Sequence, residues 1–296
     1  MSRCLLVSWL THFCRHALQD GDQTLSVSRC GVLSSPSTPL IRVLPDFMPF
    51  FRKRSQAPAV PAQPRLPEGL RVYAIGDVHG RSDLLADAFA RIDRNEAEAP
   101  SQRNLTIILG DMIDRGSDSR GVVNHILARA EKHWLVAMRG NHEQCLIEFL
   151  DDPDVLEFWG GFGAFNTLLS YGVRPVMNPT AEQREQLHQE FVTAVPPEHL
   201  AFFRDLPMSF TCHGYVFVHA GLKPGVPISQ QVPEDLLWIR EEFLSSRGPF
   251  ERIVVHGHTP VLEPELLPHR INIDTGAYAT GRLTCVLLEG SQVRVL

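Results

Sequence analysis

The sequence predicts an α/β (α+β) protein in which a largely parallel sheet carries a polar site at the carboxyl ends of its strands. Apolar runs typical of buried strands alternate with helical patterns, as in β-α-β units joined by right-handed crossovers. A glycine-containing polar loop follows each of the first three runs, which are Leu70–Ile75, Leu105–Leu109 and Trp134–Met138. Sheets of this kind place their ligand sites beyond the carboxyl ends of the strands, where these loops lie.

A helix is predicted after each of the three runs. The first spans about Ser82–Glu96, with Ser82 as its N-cap and with apolar side chains recurring at helical spacing. The second spans about Ser119–His133 and the third about Glu143–Asp151. This order of elements predicts that the three strands run parallel to one another.

Residues 152–207 interrupt the alternation and predict a helical insertion that caps the site. Trp159 and the pair Gly160-Gly161 lie near its start. Further helical segments are expected at Ala181–Ala194 and Pro197–Asp205.

The rest of the chain predicts a second sheet packed against the first. The expected strands include a hairpin around His213-Gly214. They are Ser209–Cys212, Tyr215–His219, Arg252–His256, Ile271–Asp274, Thr284–Leu288 and Val293–Leu296.

The N-terminal segment differs in composition from the rest. Residues 34–67 contain eight prolines, a composition that resists packing and is typical of linkers. We therefore predict a disordered segment at 1–66 and a folded domain at 67–296. Met48 is an alternative start, which would make residues 1–47 an artefact of start-site assignment.

The bulk composition excludes several classes of partner. A net charge of −6 lacks the basic footprint of nucleic-acid binding, and no apolar run approaches the ~20 residues that span a bilayer. Neither nucleic acid nor a membrane is therefore expected as a partner. The six cysteines show no C-x-x-C spacing, so we expect reduced thiols in a cytoplasmic protein.

The polar groups at the strand ends form a pattern suited to two divalent metal ions. Two such ions need a bridging carboxylate and several terminal ligands. Oxygen and imidazole ligands without thiolate favour manganese, iron or zinc over copper or an Fe–S cluster, and manganese is the ion expected. A bridged water would become a hydroxide nucleophile near neutral pH. The predicted ligands are Asp77 and His79 for one ion, Asp111 as the bridge, and Asn141, His219 and His258 for the other ion.

The same loops offer groups for phosphate binding and proton transfer. The guanidinium groups of Arg115 and Arg139 match the geometry of phosphate oxygens, although they could instead neutralise nearby carboxylates. His142 is expected at the rim of the site, where it could protonate a leaving oxygen while Asp114 holds its orientation and charge. Glu143 is a candidate cap for the following helix.

Three further residues carry less specific signals. His256 is interpreted as structural, because the ligand set is complete without it. Asp274 is either a support for the ligands or a turn residue. Cys145, one turn after the Gly-Asn-His-Glu motif, is interpreted as helix packing.

The ordered motifs resemble the phosphoprotein phosphatase family of the calcineurin-like metallophosphoesterases, and bacterial and phage members most of all. The resemblance covers about residues 70–288. It implies a β-sandwich of mixed sheets flanked by helices, two metal ions and a catalytic domain that hydrolyses phosphomonoesters. The motifs are Gly-Asp-Val-His-Gly at 76–80, Gly-Asp-Met-Ile-Asp-Arg-Gly at 110–116, Arg-Gly-Asn-His-Glu at 139–143, His-Ala-Gly at 219–221 and Gly-His-Thr-Pro at 257–260.

Position by position, the resemblance implies the metal ligands named above. It also implies Asp114 and His142 as a pair for acid catalysis (the acid pair), and Arg115 and Arg139 as phosphate contacts. It adds Arg240, in Leu-Trp-Ile-Arg-Glu, as a further phosphate contact. The residue pattern alone would place Arg240 on a surface helix. The insertion around Trp159–Asp205 matches no regulatory-subunit surface, so no regulatory partner is implied.

The expected substrate is a phosphoprotein or a small phosphorylated molecule. Hydrolysis of phosphoserine or phosphothreonine, with phosphotyrosine as a further option, is the leading hypothesis. The alternative is a symmetrical dinucleoside polyphosphate (diadenosine tetraphosphate) hydrolase, which typically has alanine at the position of Asp114 and aspartate at that of Glu143. The two residues therefore favour the phosphatase. A binding module without catalysis would usually have lost ligands, and here none is missing.

Overall fold

The described part of the chain folds into two mixed β-sheets with helices against their outer faces. The computed structural model describes residues 25–28, 65–100 and 103–296. The strands in these ranges are β1 (Leu25–Ser28), β2 (Leu70–Ile75), β3 (Arg103–Ile108), β4 (Trp134–Ala137), β5 (Ser209–Cys212), β6 (Tyr215–Val218), β7 (Ile253–His256), β8 (Glu265–Leu266), β9 (Arg270–Asn272), β10 (Cys285–Glu289) and β11 (Gln292–Val295).

The helices include four within the predicted insertion. Two short 3-10 turns occur at Gly160–Phe162 and Ile228–Gln230. Within the described ranges, no helix has both the length and the apolar character needed to cross a membrane. The α-helices are α1 (Ser82–Glu98), α2 (Ser119–Ala130), α3 (Asn141–Phe149), α4 (Val155–Trp159), α5 (Ala164–Ser170), α6 (Ala181–Ala194), α7 (Pro197–Asp205), α8 (Pro233–Trp238), α9 (Glu241–Leu244) and α10 (Ala277–Thr280).

The predicted parallel strands are present and an antiparallel pair extends their sheet. The strand order is β11-β10-β2-β3-β4, in which β2, β3 and β4 are parallel and β10 is antiparallel to β2. The second sheet has the order β1-β5-β6-β7-β9-β8, with β6, β7 and β9 parallel and the predicted hairpin formed by β5 and β6. Each sheet therefore contributes three parallel strands, and the polar loops follow their carboxyl ends.

The two sheets pack face to face around an apolar core. Val72 and Ala74 of β2 and Ile107 of β3 belong to one buried cluster with Phe217 and Val255 of the second sheet. Successive side chains of a strand point to opposite faces. The alternate residues of these strands therefore lie on the other face of the sheet. The predicted second sheet is thus confirmed, and it covers one face of the first.

The other face of the first sheet packs on helices. Tyr73 and Ile75 of β2 join a buried cluster that includes Leu85 of α1. Trp159 and Phe191 bring the insertion into the same cluster. The insertion is therefore part of the main core rather than a loosely attached lid.

The start of α1 differs from the prediction. The helix begins at Ser82, but Arg81 occupies the N-cap position and makes no side-chain cap hydrogen bond. The Ser82 hydroxyl instead donates to Asp118 Oδ2 over 2.6 Å. Ser82 is therefore tied to the start of α2, and its assignment as N-cap was wrong.

The start of α3 also differs from the prediction. The helix begins at Asn141, because the Glu143 carboxylate accepts the Gly140 N–H over 2.8 Å and closes the first turn early. Asn141 and His142 therefore lie on the first turn of a helix, which limits the directions their side chains can take.

The N-terminal segment is ordered where the structure describes it. Leu25–Ser28 pairs antiparallel with β5. Leu66 is buried, and its N–H donates to the Gly290 carbonyl oxygen over 2.8 Å. These contacts concern residues 25–28 and 66 alone, and the division into a disordered segment at 1–66 and a folded domain at 67–296 stays a prediction. The other residues of 1–64, including most of 1–47, lie outside the described part of the chain.

His199 of α7 links the insertion to α2. The Tyr171 hydroxyl lies 2.8 Å from its Nδ1, and Asn124 Oδ1 lies 3.0 Å from its Nε2. A neutral ring that accepts at Nδ1 and donates from Nε2 satisfies both partners. Burial, the largest influence, lowers the pKa of His199 below its ordinary 6.5.

Glutamine at His199 is expected to reduce the loss of stability at acid pH. Because the folded pKa of His199 is below the unfolded one, the unfolded chain takes up this proton first, and the wild type loses stability as the pH falls below about 6.5. Urea denaturation of the metal-free protein at about pH 7 and about pH 5.5 measures the difference. The exposed His125 of α2, changed to glutamine, is the control and should keep the wild-type difference. An equal loss in His199→Gln and wild type would contradict the expectation.

Candidate metal centre

Six buried side chains from the two sheets converge at the carboxyl ends of the parallel strands. The loop after β2 carries two of them, and one each follows β3, β4, β6 and β7. In that order they are Asp77 and His79, Asp111, Asn141, His219 and His258, and none is more than 5% exposed. The packing of the two sheets thus brings together the loops that the sequence predicted to carry ligands.

Unusual backbone conformations are concentrated in these loops. Of the seven non-glycine residues with positive φ in the described ranges, five are His79, Asp111, Asp114, Arg115 and His258, with φ between 45° and 70°. Such conformations cost about 1–3 kcal/mol each and persist where surrounding contacts impose them. Because these residues are concentrated around the candidate ligands, tertiary contacts there must hold the backbone in conformations that it would not adopt by itself.

Two glycines allow the backbone to approach the carboxylates of the site. A Cβ at Gly140 would collide with Asp111 Oδ1, and one at Gly257 would collide with Asp77 Oδ1. Any larger residue at either position would displace a candidate ligand. The glycines of these motifs therefore serve close approach as well as the turn.

Asp111 lies between two groups of candidate ligand atoms. Its Oδ2 is 3.6 Å from His79 Nε2, and its Oδ1 is 3.3 Å from His219 Nε2. The two oxygens therefore face different groups, as in a carboxylate that bridges two ions through both of its oxygens. The groups are His79, Asp111 and His142 on one side, and Asp111, His219 and His258 on the other, with the ligand atoms of each group within 4.8 Å of one another.

Backbone hydrogen bonds turn two imidazoles toward the site. His79 Nδ1 is 2.9 Å from the Ile113 carbonyl oxygen, and His219 Nδ1 is 3.0 Å from that of Leu109. A carbonyl oxygen only accepts, so we assign the proton to each Nδ1, and in the neutral ring the Nε2 lone pair faces the site. Metal-binding histidines commonly donate their other N–H in this way.

Acceptor atoms crowd around His219 Nε2. Asn141 Oδ1 lies 2.9 Å away and His258 Nδ1 lies 3.1 Å away. Burial acts to lower the pKa of His219, but the charge of Asp111 and the hydrogen bond to it raise that pKa to about 10. The surroundings therefore favour a positive charge at this point, which a divalent ion would supply to all these atoms at once.

The other two imidazoles of the ligand set are held neutral. Burial is the largest cause for both, and it lowers the pKa of His79 to about 3 and that of His258 to about 2. Neutral imidazole is the form that binds metal. Both rings are thus ready to act as ligands at neutral pH.

Asp77 presents a buried oxygen without a partner. Its Oδ2 accepts the His258 N–H over 3.0 Å, whereas its Oδ1 has no hydrogen-bond partner in the part of the chain that the structure describes. Burial, followed by the charge of Asp274, raises the pKa of Asp77 well above 3.8. Asp274 also accepts the Gly276 N–H over 2.9 Å, so it is both a turn residue and a neighbour of the ligand. A metal ion would relieve the unpaired oxygen, and the six side chains fit a pair of divalent ions.

His142 is buried, and its predicted position at the rim was wrong. Phe162 of the insertion lies against its ring, with centroids 5.8 Å apart. His142 Nδ1 is 2.6 Å from Asp114 Oδ2, and its Nε2 is 3.7 Å from Asp111 Oδ2. Burial acts to lower the pKa of His142, but the charge of Asp111 and the hydrogen bond to Asp114 raise it above 6.5. The ring thus lies between the two carboxylates.

Glu143 does more than cap α3. Its buried Oε2 accepts the N–H groups of Gly140 and Asp111 over 2.8 and 2.9 Å, and its Oε1 accepts those of Met112 and Ile113 over 2.7 and 3.3 Å. The carboxylate therefore ties the Asp111 loop to the start of α3. Burial and then the charge of Asp111 raise the pKa of Glu143 to about 7. The capping pattern revealed the bond to Gly140, but no sequence signal pointed to the other loop.

Arg115 borders the site together with a residue that the sequence did not suggest. Its Nη2 lies 3.5 Å from His142 Nε2, and its guanidinium stacks over the Tyr278 ring at 4.7 Å. The Tyr278 ring also lies 5.3 Å from that of His79, and the residue is 41% exposed. Tyr278 therefore forms part of the entrance. It stands in an Ala-Tyr-Ala stretch far along the chain, which carries no chemical pattern.

The other two predicted phosphate-binding arginines differ in placement. Arg240 Nη1 lies 3.4 Å from the hydroxyl of Thr259, the residue after His258. Arg139 donates to Gln144 Oε1 and to the Arg204 carbonyl oxygen. Arg240 thus lies beside the second ligand group, whereas Arg139 is held toward α7.

His256 and Cys145 have the packing contacts expected of structural residues. The His256 ring lies 4.9 Å from that of Phe243, and its Nδ1 is 3.1 Å from the Gly257 carbonyl oxygen. Burial lowers the pKa of His256 to about 3. Cys145 belongs to the cluster between the first sheet and its helices. Both interpretations are supported.

The chain belongs to the calcineurin-like phosphoesterase family. The family model matches residues 70–285, a range that includes both ligand groups, the acid pair and the three arginines. The predicted resemblance to metallophosphoesterases of the phosphoprotein phosphatase type is confirmed. The family uses a dimetal centre, and the two groups that share Asp111 could hold one.

The relatives carry different substrate names. The chain is 29% identical to serine/threonine-protein phosphatase 1 of Salmonella typhimurium over 224 aligned residues. The alignment covers 74% of this chain and 92% of that protein. Over 232 residues the chain is 26% identical to the asymmetrical bis(5'-nucleosyl)-tetraphosphatase PrpE of Anoxybacillus flavithermus, covering 72% and 88%. A crystal structure provisionally assigned as a diadenosine tetraphosphatase superposes with a TM-score of 0.52 at 19% identity, covering 76% and 92%, a likeness that concerns the fold alone.

Asparagine at Asp111 is expected to abolish turnover and to reduce bound manganese, because it removes the charge that both ligand groups share. A loss of several kcal/mol corresponds to roughly a thousandfold in rate. Elemental analysis after manganese loading, and calorimetric titration of the metal-free protein, measure the metal independently of activity.

Asp87→Asn is the matched control for this change. Asp87 is an exposed carboxylate of α1 that pairs with Arg91 over 3.0 Å. We expect this variant to keep both metal and turnover. Near wild-type turnover in Asp111→Asn with both metals bound would refute the bridging role.

Proposed function

We propose that the chain is a metal-dependent phosphoprotein phosphatase that hydrolyses phosphoserine and phosphothreonine, with phosphotyrosine as a further substrate. The observation that carries the proposal is the Asp114–His142 pair, with Oδ2 and Nδ1 only 2.6 Å apart and both residues buried. The alkoxide oxygens of serine and threonine are poor leaving groups unless a general acid protonates them. A carboxylate-supported imidazole beside the metal ligands suits that task.

The six converging side chains are proposed as the ligands of two ions. Manganese is the proposed native metal, with iron and zinc as the alternatives that oxygen and imidazole ligands also suit. When bound, the ions would supply Lewis acidity and a hydroxide nucleophile near neutral pH. The ligands are Asp77, His79, Asp111, Asn141, His219 and His258.

The remaining residues bind phosphate and move the proton. Arg115 and Arg240 are proposed to donate to phosphoryl oxygens from two sides of the ligand groups. Arg139 can join them only if its side chain leaves its present partners on α3 and α7. His142 gives the proton at Nε2 to the leaving oxygen, and Asp114 stabilises the charged ring before the transfer.

The cysteines suit the reducing cytoplasm, which we propose as the location. Cys145, Cys212 and Cys285 are buried free thiols. Burial raises the pKa values of Cys145 and Cys285 to about 12, so these two thiols are poor nucleophiles at neutral pH.

Hydrolysis of dinucleoside tetraphosphates is the second candidate, favoured by the PrpE relative. That relative is named as an asymmetrical enzyme, whereas the sequence pattern suggested the symmetrical type as the alternative. The leaving group of such a reaction is a phosphate, which ionises with a pKa of about 6 and departs without a proton at neutral pH. The buried acid pair therefore favours a phosphoester of an alcohol.

A substrate panel with manganese distinguishes the two candidates. Phosphoserine, phosphothreonine and phosphotyrosine peptides are compared with diadenosine tetraphosphate and a phosphodiester at equal enzyme concentration. We expect kcat/KM to be highest for a phosphopeptide. A higher kcat/KM for diadenosine tetraphosphate than for every phosphopeptide would replace the proposal with the second candidate.

Asparagine at His142 is expected to lower kcat for a phosphoserine peptide by roughly 10²–10⁴-fold while leaving the manganese content unchanged. The variant loses the proton donor but keeps a polar side chain of similar reach. His125→Asn on the exposed face of α2 serves as the control. A parallel loss of metal and rate would identify His142 as a ligand, an assignment that its place beside His79 and Asp111 makes worth testing.

A further inference from the structure

Side chains of the helical insertion hold the Asp114 carboxylate. Asp114 is completely buried, and its Oδ2 accepts hydrogen bonds from Trp159 Nε1 at 2.7 Å and from His142 Nδ1 at 2.6 Å. Its Oδ1 accepts one from the Thr167 hydroxyl at 2.5 Å. Two of these three donors thus come from residues 45 and 53 positions further along the chain.

Packing and hydrogen bonding immobilise the two donors. Trp159 is fully buried, and its ring lies 5.3 Å from that of Phe149 on α3 and 6.5 Å from that of Phe191 on α6. Thr167 is also fully buried, and its hydroxyl oxygen accepts the Asp114 backbone N–H over 2.9 Å. Thr167 therefore holds both the main chain and the side chain of Asp114.

We infer that Trp159 and Thr167 are positioning residues for proton transfer by His142. Providing these two donors is then one role of the insertion. The inference rests on the proposed function, because it concerns the group assigned as the general acid. A carboxylate with one partner can rotate, whereas donors on both oxygens fix its plane. The fixed Oδ2 then sets the direction of the imidazole ring.

The chemistry of the donors suits this role. Indole and hydroxyl are neutral, so they orient the carboxylate without cancelling the negative charge that stabilises the imidazolium. The same insertion places Phe162 against the His142 ring at 5.8 Å, which helps to exclude water. Hydrogen bonds are electrostatically stronger in such a dry environment. The insertion thus orients the His142 ring through Asp114 and shields it from water.

Phenylalanine at Trp159 tests the inference because it removes the N–H and keeps an aromatic ring. We expect kcat for phenyl phosphate or a phosphoserine peptide to fall on the order of tenfold, with KM and manganese content unchanged. The rate with p-nitrophenyl phosphate should change little, because that leaving group departs without a proton. Thr167→Val, which keeps the side-chain shape, should act in the same direction.

Two controls separate positioning from packing. Phe149→Leu loosens the surroundings of Trp159 and keeps all donors to Asp114, so it should lower thermal stability without changing the ratio of rates for the two aryl phosphates. Trp134→Phe, at the exposed start of β4, should change neither quantity. The rate ratio therefore reports on the hydrogen bond and not on the core.

A second measurement needs no catalysis. The indole N–H resonance of Trp159 is identified in spectra of ¹⁵N-tryptophan-labelled, metal-free protein by its loss in Trp159→Phe. A charged acceptor deshields this proton, so we expect the resonance to move upfield in Asp114→Asn. The resonance of Trp134 should stay in place.

Two results would contradict the positioning role of Trp159, and the His142→Asn variant separates that role from the proposed function. Equal losses with phenyl and p-nitrophenyl phosphate in Trp159→Phe, or an unmoved indole resonance in Asp114→Asn, would overturn the inference and leave Trp159 as a core residue. If His142→Asn lowers turnover of poor leaving groups and Trp159→Phe does not, only this inference fails. If His142→Asn itself leaves those rates unchanged, the proposed function fails.

Discussion

The buried carboxylate of Asp111 is the group on which the geometry of the site depends. It lies where the two sheets meet, and its oxygens face His219 at 3.3 Å and His79 at 3.6 Å. Burial opposes its charge, but the neighbouring imidazoles, His219 first, keep the pKa of Asp111 well below 3.8. A buried charge is tolerated only with compensation. Here the compensating groups come from both sheets, so the site exists only when the sheets are packed together.

The loops around Asp111 are held against their own backbone preference. Positive φ at Asp111 and His79 costs about 1–3 kcal/mol each. The Glu143 carboxylate accepts hydrogen bonds from four backbone N–H groups of these loops, and these bonds help to hold Asp111 in its strained conformation. Glu143 binds no metal in the proposed set, yet its hydrogen bonds tie the Asp111 loop to the first turn of α3.

The sequence predicted the strands and the ligand loops because their signals are local. An apolar run followed by Gly-Asp or Gly-Asn shows where a strand ends and which side chains lie there. The burial of His142 could not be predicted, because Phe162, which covers it, lies in the short Gly160–Phe162 turn, where the sequence carries no helix or strand pattern. The reach of Glu143 to residues about thirty positions earlier, and the place of Tyr278 at the entrance, likewise depend on contacts that only the packed sheets create. Ser82 was misjudged because Asp118, remote in sequence, competes for its hydroxyl.

His142 lies between two buried carboxylates that are compensated in different ways. Asp111 is surrounded by imidazoles and, in the proposed enzyme, by metal ions, whereas the insertion gives Asp114 the neutral donors Trp159 and Thr167. Neutral donors leave the charge of Asp114 available to His142. Metal ions at Asp111 would weaken the attraction on the other side of the ring. In the proposed mechanism, this asymmetry keeps the Nδ1 proton on the side of Asp114 and leaves Nε2 as the atom that would give its proton to a substrate oxygen. The neutral donors from the insertion would then support the choice of Nε2 as the reacting nitrogen.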